Sequence, residues 1–97
     1  MVWSFMLLRN LESIELTIPE NVASLGGYAL AGNTSLKRLY MRPKIPPTIT
    51  STTLNNLPPD CRIYVWHDYL ADYLQDANWS TFANQIYPYD YDLNVEV

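Results

Sequence analysis

The chain has 97 residues, of which 48% are hydrophobic and 16% charged, a balance that predicts one small folded domain and excludes a disordered chain. Its formal net charge of −4 argues against nucleic-acid binding, because neutralising phosphates requires clustered lysine and arginine. The sequence also lacks the run of about 18 apolar residues that a membrane-spanning helix needs.

Three short runs of alternating apolar residues predict parallel β-strands near residues 13–18, 37–42 and 62–66. Turn-forming glycine and proline residues lie between them. The runs recur along the numbering at an offset of 25 and then of 24, which indicates a protein of stacked repeats. These offsets align apolar residues into three ladders that would form one core: Phe5, Leu30 and Leu54; Ile14, Leu39 and Ile63; Leu16, Met41 and Val65.

The same alignment predicts a second set of side chains on the outer face, because side chains alternate along a strand. Its three columns are Ser13, Arg38 and Arg62; Glu15, Tyr40 and Tyr64; and Thr17, Arg42 and Trp66. Arginine, tyrosine and tryptophan dominate binding hot spots. The candidate ligand-binding residues are therefore Arg38, Tyr40, Arg42, Arg62, Tyr64 and Trp66. The alternative is a solvent-exposed face, with Glu15 paired to an arginine and the tyrosines stacked on one another.

Residues 67–88 predict a helical cap over the last of these strands. A first helix over 68–77 carries an apolar stripe, and a second begins with Asn78 as its N-cap and ends before Pro88. Residues 89–97 then alternate strictly between apolar and polar or acidic side chains, which predicts a strand. The alternative for this tail is a frayed terminus.

The pattern IPENVASLGGYALAGNTSLKRLYM at residues 18–41, followed by IPP and CRIYV, resembles the BspA-type bacterial leucine-rich repeats. The ending DYLADYLQDANWSTFANQIYP resembles the helical C-terminal cap of that family. Three positions depart from the pattern: Asn33 replaces a frequent Cys, Leu30 a frequent Phe, and Trp66 a Pro that commonly follows the last strand. The resemblance implies an α/β leucine-rich-repeat solenoid with short parallel β-rungs, on secreted or surface proteins that bind other molecules. It implies no catalytic residue and no cofactor.

The expected organisation is a single domain over residues 1–97. Residues 1–66 would form about two and a half leucine-rich repeats, residues 67–88 the helical cap, and residues 89–97 the alternating tail. Because the offset of 25 places Met1 inside a repeat, we expect the chain to be the C-terminal part of a longer solenoid.

Two groups of residues are candidates for chemistry. Cys61, His67 and Asp68 could supply a nucleophile and a base, but one cysteine and one histidine without a motif do not predict catalysis, so we predict a protein that is not an enzyme. The aspartates at 68, 72 and 76 would share one helix face, where side chains diverge, so a solvated acidic stripe is predicted in preference to a metal site.

We therefore expect a non-catalytic binding or adhesion module, secreted or at the cell surface, whose ligand is a protein or a glycan. The alternative is a purely structural cap of a longer solenoid, or an accessory module of a larger protein. A homodimer is also expected, through the tail strand or through the N-terminal edge, where Trp3, Phe5 and residues 6–8 lack a preceding coil.

Overall fold

The computed structural model describes residues 3–5, 14–27, 35–54 and 57–97, with the backbone alone for residues 3–5. The described residues form a mixed α/β fold with an open, mostly parallel five-stranded sheet, a two-stranded parallel sheet and two helical segments. The strands are β1 (Trp3–Phe5), β2 (Glu15–Ile18), β3 (Val22–Leu25), β4 (Arg38–Met41), β5 (Arg62–Trp66), β6 (Ile86–Asp90) and β7 (Val95–Glu96). The order in the larger sheet is β2-β4-β5-β6-β7, and β1 pairs with β3 in the smaller one.

The three predicted strands are present as β2, β4 and β5, and they pair in parallel. Their inward side chains, among them Ile18, Leu39, Met41 and Ile63, are fully buried in one hydrophobic cluster. The alternation of apolar and polar residues therefore predicted the strands and the side chains that point to the core.

The register between β2 and β4 corrects the predicted ladders. Glu15 lies opposite Arg38 and Leu16 opposite Leu39, so the partners are offset by 23 in the numbering and not by the predicted 25. Ile14, which was predicted to stack on Leu39, is 55% exposed. A shift of two residues keeps every side chain on its own face, so the alternation alone cannot distinguish the two registers. The offset of 24 between β4 and β5 was predicted correctly.

Several predictions concern residues outside the described part of the chain. They are the outward position of Ser13, the stacking of Leu30, the departure at Asn33 and the apolar residues 6–8.

A fourth parallel strand, β6, was not predicted. It pairs with β5 at an offset of 23, so that Ile86 lies opposite Ile63 and Tyr87 opposite Tyr64. The dipeptide Ile-Tyr thus recurs at the same place in two successive strands. The sequence pattern assigns this segment to the helical cap, because a proline typically ends a helix.

Pro88 lies inside β6, where a proline is unusual because it cannot donate a hydrogen bond to a neighbouring strand. Its carbonyl oxygen accepts a hydrogen bond of 3.4 Å from the amide of Val97, at the side of β6 that faces β7. The amide and carbonyl groups of one strand residue point to the same side. The nitrogen of Pro88 therefore points toward β7, so no hydrogen bond between β6 and β5 is lost.

The helical segments are a 3₁₀ turn (His67–Tyr69) that continues into helix α1 (Leu70–Gln75), and a second 3₁₀ helix (Trp79–Gln85). Tyr73 and Trp79 are fully buried and pack edge to face, with ring centroids 5.2 Å apart. The Tyr73 hydroxyl donates to the Pro43 carbonyl at 2.7 Å, and the Trp79 indole to the Pro47 carbonyl at 2.8 Å. The predicted cap thus contacts the loop after β4 through specific hydrogen bonds to its carbonyl groups.

Asn78 lies at the predicted N-cap position, but its side chain makes no capping hydrogen bond. The amides of Asn78 and Trp79 both donate to the carboxylate of Asp76, at 2.9 and 3.1 Å, so Asp76 caps the second helical segment. The side chain of Asn78 instead donates to the Ile49 carbonyl at 2.8 Å.

The tail is a hairpin instead of the single strand predicted over 89–97. The chain turns at residues 91–94 and returns as β7, which pairs antiparallel with the end of β6. Asn94 has a φ of 56°, a left-handed conformation that asparagine adopts more readily than most residues. Among the described helices, none is long and apolar enough to cross a membrane.

Candidate functional site

The candidate site is the outer face of the larger sheet, which carries the side chains that point away from the core. The six residues predicted for ligand binding all lie on β4 and β5 or, for Arg42, directly after β4. Because of the observed register, Thr17, Tyr40, Tyr64 and Tyr87 stand side by side across four strands. The structure thus brings the predicted residues together, with the β2 column shifted by two residues.

The C-terminal hairpin covers part of this face. Tyr91 is 6% exposed, and its hydroxyl donates a hydrogen bond of 2.6 Å to the main-chain oxygen of Tyr64. The ring of Tyr91 also lies 5.4 Å from that of Trp66. Tyr64 and Trp66 were predicted to be exposed, but they are 3% and 9% exposed. The accessible part of the predicted patch is therefore reduced to the residues on β2 and β4, Arg42 and Arg62.

The tyrosines of the face and of the hairpin form one continuous aromatic cluster. Tyr40 stacks on Tyr64 with ring centroids 5.2 Å apart, and Tyr89 contacts the Tyr40 ring edge to face at 5.4 Å. Tyr89 and Tyr91 lie 4.7 Å apart. Aromatic pairs contribute about 0.5–1.5 kcal/mol each beyond their buried area, so these contacts hold the rings in fixed positions.

Positive charges surround the aromatic cluster. The Arg42 guanidinium lies 5.1 Å from the Tyr91 ring, and the Lys44 ammonium lies 5.6 Å from the Trp66 ring. At the other end of β5, Arg62 lies 4.7 Å from the Tyr87 ring. These cation–π distances fall inside the range of about 6 Å in which the interaction is favourable.

Three ion pairs cross between neighbouring strands or loops on the exposed side. Arg38 pairs with Glu15 at 2.6 Å, as one alternative interpretation of the sequence proposes for this glutamate. Arg62 pairs with Glu96 of the hairpin at 3.4 Å, and Lys37 pairs with Asp60 at 3.5 Å. All three are largely solvent-exposed, so each contributes little stability. The first two nevertheless fix the positions of charged groups around the tyrosines.

A trough of about 190 Å³ opens between the exposed half of the face and the hairpin. It is lined by Glu15, Thr17, Tyr40, Arg42, Tyr89, Tyr91 and Asn94. Burial raises the pKa of Tyr40 above its ordinary value, so its hydroxyl is protonated and able to donate at neutral pH. A carboxylate, a hydroxyl, an amide, a guanidinium and aromatic rings therefore border one small space.

Tyr89, Tyr91 and Asn94 were not among the predicted site residues. The strict alternation of residues 89–97 predicted a strand, and tyrosine recurs in it at every second position up to Tyr91. That alternation indicated that Tyr89 and Tyr91 would lie on the same face of a strand. It gave no information that the chain would turn back over the face.

A second, more polar cleft of about 340 Å³ lies beside the trough, at the carboxyl end of the parallel strands. It is lined by Glu20, Arg42, Lys44, Trp66, Asp68, Tyr69 and Asp92. The indole nitrogen of Trp66 is buried and has no hydrogen-bond partner among the described residues. Arg42 lines both the trough and this cleft, so it connects them.

The residues considered for catalysis are not arranged as a nucleophile and its base. Cys61 is 1% exposed, and burial raises the pKa of its thiol to about 11. At neutral pH the side chain is therefore the protonated, unreactive thiol. The imidazole of His67 lies 3.4 Å from Asp68 and 3.9 Å from Asp90, so its near neighbours are carboxylates.

The acidic stripe also takes other roles in the described structure. Asp76 caps the second helical segment, and Asp68 lies beside His67. Within the described ranges, no three histidine, cysteine or acidic residues are grouped so that they could hold a metal ion.

No protein-family model matches the chain, and no curated protein is significantly similar to it. The geometry of the outer face and its trough therefore carries what can be inferred about function.

Proposed function

We propose that the chain is the closing end of a leucine-rich-repeat solenoid of BspA type, and that its outer face is a non-catalytic binding surface. Four parallel strands support the repeat, because their partners are offset by 23, by 24 and again by 23 in the numbering. A parallel bridge between Ser24 of β3 and Thr48 supports it too, because its offset is 24, whereas β1 pairs with β3 at offsets of 19 and 20. One unit of the repeat would thus span a strand on each side of the core.

The observation that carries the binding function is the trough, where aromatic and polar groups converge. Its volume equals that of about six water molecules, enough for one sugar ring or one large side chain. Tyr40 and Tyr89 offer rigid aromatic surface against which the apolar face of such a group can pack. Glu15, Arg42 and Asn94 together provide hydrogen-bond donors and acceptors for the hydroxyl or amide groups of a ligand. The ligand we propose is a glycan or a protein side chain presented at another surface, as for a secreted or cell-surface adhesion module.

A structural role for the whole segment is the second candidate, and a specific observation favours it. The hairpin buries Tyr64 and Trp66, which makes these two residues part of the packing of the chain end. Under this alternative the aromatic cluster only closes a longer solenoid. The tyrosines would then contribute stability and no affinity.

The experiment compares two tyrosines of the same face. The purified chain is screened against glycans and surface proteins, and each binder is measured again with Tyr40→Ala and Tyr87→Ala. Tyr40 lines the trough, whereas Tyr87 lies on the same face outside the trough, beside Arg62. We expect Tyr40→Ala to weaken binding about tenfold or more, since a central anchor contributes about 2 kcal/mol or above, and Tyr87→Ala to leave binding unchanged.

Thermal unfolding of both variants is the control for folding. Equal losses of affinity in the two variants would assign the effect to general destabilisation and would favour the structural role. A ligand that binds Tyr40→Ala as tightly as it binds the wild type does not bind in the trough.

A further inference from the structure

The C-terminal hairpin is attached to the outer face through a few side-chain contacts. Tyr91 donates its hydrogen bond to Tyr64 and packs under Arg42, and Glu96 pairs with Arg62. These contacts place an acidic, tyrosine-bearing segment directly on the basic, aromatic face. The chain thus contains, in its own tail, an example of what this face accommodates.

Tyr91 is the buried anchor of the segment beyond β6. Its side chain is buried, whereas residues 92–97 are all exposed, with Leu93 at 71%. The returning strand β7 is two residues long. In contrast, β6 pairs with β5 over four residues and buries Ile86 in the core. Release of the hairpin would therefore leave the pairing of β6 with β5 in place.

Two cations of the face have no carboxylate partner among the described residues. Arg42 and Lys44 lie over the rings of Tyr91 and Trp66, and neither forms an ion pair with a described carboxylate. Asp92, the acidic residue that directly follows the anchor, lines the same cleft as both cations. A segment with better-placed carboxylates would gain charge-assisted hydrogen bonds that the chain's own tail does not make.

We propose that the outer face binds an extended acidic, tyrosine-bearing peptide segment of a partner protein, which takes the place of the C-terminal hairpin. A tyrosine of the partner occupies the space of Tyr91 against Tyr64 and Trp66, and flanking carboxylates pair with Arg42 and Lys44. The inference rests on the proposed binding function of the outer face and specifies a protein partner, whose segment replaces the hairpin as one wall of the trough. The hairpin acts as an internal competitor, since a tethered segment is present at an effective concentration of the order of millimolar.

The test uses a fluorescent synthetic peptide with the sequence of residues 88–97 and the full-length chain. Fluorescence anisotropy measures its binding to the wild type, to Tyr91→Ala and to Tyr91→Phe. The alanine variant loses the anchor of the hairpin, and the phenylalanine variant loses only the hydrogen bond. We expect the peptide to bind Tyr91→Ala about tenfold or more tightly than the wild type, and Tyr91→Phe to an intermediate extent.

Two controls make the result specific. Leu93→Ala alters an exposed position of the same hairpin, and we expect it to bind the peptide like the wild type. Adding Arg42→Glu to Tyr91→Ala reverses the central charge, and we expect it to abolish binding. Circular dichroism shows whether each variant keeps its fold, and the Tyr91→Phe comparison stands if Tyr91→Ala unfolds.

Equal affinity for the wild type and for both Tyr91 variants, or no binding to any of them, would overturn the proposal. So would a doubled mass in light scattering of the Tyr91 variants without peptide, because the occupant would then be the tail of a second copy. A glycan that still binds in a Tyr40-dependent manner would, in any of these cases, leave the proposed binding function intact. If the peptide binds as expected but no ligand depends on Tyr40, the peptide site stands and the proposed ligand site in the trough is wrong.

Discussion

The hydroxyl of Tyr91 donates a 2.6 Å hydrogen bond to the main-chain oxygen of Tyr64, and this bond joins the C-terminal hairpin to the middle of the parallel sheet. Both residues are buried, and burial raises the pKa of the Tyr91 phenol well above its ordinary value. The hydroxyl is therefore a permanent donor at physiological pH. This hydrogen bond explains why Tyr91, a residue of the C-terminal hairpin, is buried on the outer face of the sheet.

Removing that hydrogen bond should measurably destabilise the chain. We expect Tyr91→Phe to lower the free energy of unfolding by about 0.5–1.5 kcal/mol, because a buried hydrogen bond to the sheet is lost. Tyr91→Ala should cost about 3–5 kcal/mol, since the ring is also removed. Urea denaturation measures both. A Tyr91→Phe variant as stable as the wild type would show that the carbonyl finds another donor.

The helical cap should depend on the hydrogen bond between Tyr73 and the loop that follows β4. We expect Tyr73→Phe to lower the free energy of unfolding by about 1–3 kcal/mol, because the buried Pro43 carbonyl loses its donor. The matched control is Tyr69→Phe, four residues earlier and only half-buried, for which we expect a change within about 0.5 kcal/mol. Similar losses for both variants in thermal or urea unfolding would contradict a special role of the Tyr73 hydroxyl.

Asp76 should be the residue that starts the second helical segment. We expect Asp76→Ala to lower stability by about 1 kcal/mol through the loss of its two amide hydrogen bonds. Asp72→Ala, on the exposed face of α1, removes the same charge without a cap, and we expect a change below about 0.5 kcal/mol. If Asp76→Ala and Asp72→Ala unfold at the same denaturant concentration, the change in stability results from the change in net charge, and the predicted capping role of Asp76 is wrong.

Stability should fall in alkaline solution. The pKa of Cys61 is raised to about 11 in the folded chain from an ordinary value of 9.0, and the pKa values of buried Tyr73 and Tyr91 are raised as well. A group with a raised pKa holds its proton more tightly in the folded state, so its contribution is complete below the ordinary value and is lost as the pH rises. For Cys61 that loss covers the range from about pH 9 to pH 11.

The measurement is the free energy of unfolding as a function of pH, for the wild type and for Cys61→Ala. We expect the wild type to lose stability from about pH 9 upwards, and the variant to lose less over the interval to pH 11. The tyrosines keep a slope above pH 10 in both proteins. Parallel curves for the two proteins would show that the thiol does not take part.

Much of the sheet could be predicted from the sequence. Period-two alternation located β2, β4 and β5 and identified their buried faces. It could not fix the register of β2, because the observed offset and the predicted one differ by an even number and bury the same parity. The correct offset places Glu15 opposite Arg38, where a cross-strand ion pair forms. That complementarity was the physical signal that distinguishes the two registers.

The site could be predicted only in part. The outward residues of β4 and β5 follow from alternation, and they do lie together on one face. The hairpin does not follow from the alternation, which predicts extended backbone. The signal for a turn at residues 91–94 was the turn-favouring pair Asp90 and Asn94, which the alternation masked. The cover over Tyr64 and Trp66 results from long-range packing of the Tyr91 ring, which depends on the three-dimensional position of the chain end.

In the repeat that we propose, the antiparallel strand β7 limits where a further parallel strand could be added to the sheet. Neighbouring parallel strands lie about 4.8 Å apart. Paired residues of successive strands are 23 or 24 positions apart in the sequence. A duplicated unit of that length, inserted ahead of β6, would add one strand and leave the hairpin on the strand it now pairs with. The same insertion after β6 would separate β7 from its partner and would carry Tyr91 away from Tyr64. In that proposed repeat, additional units would therefore be compatible with the hairpin only on the amino-terminal side of β6.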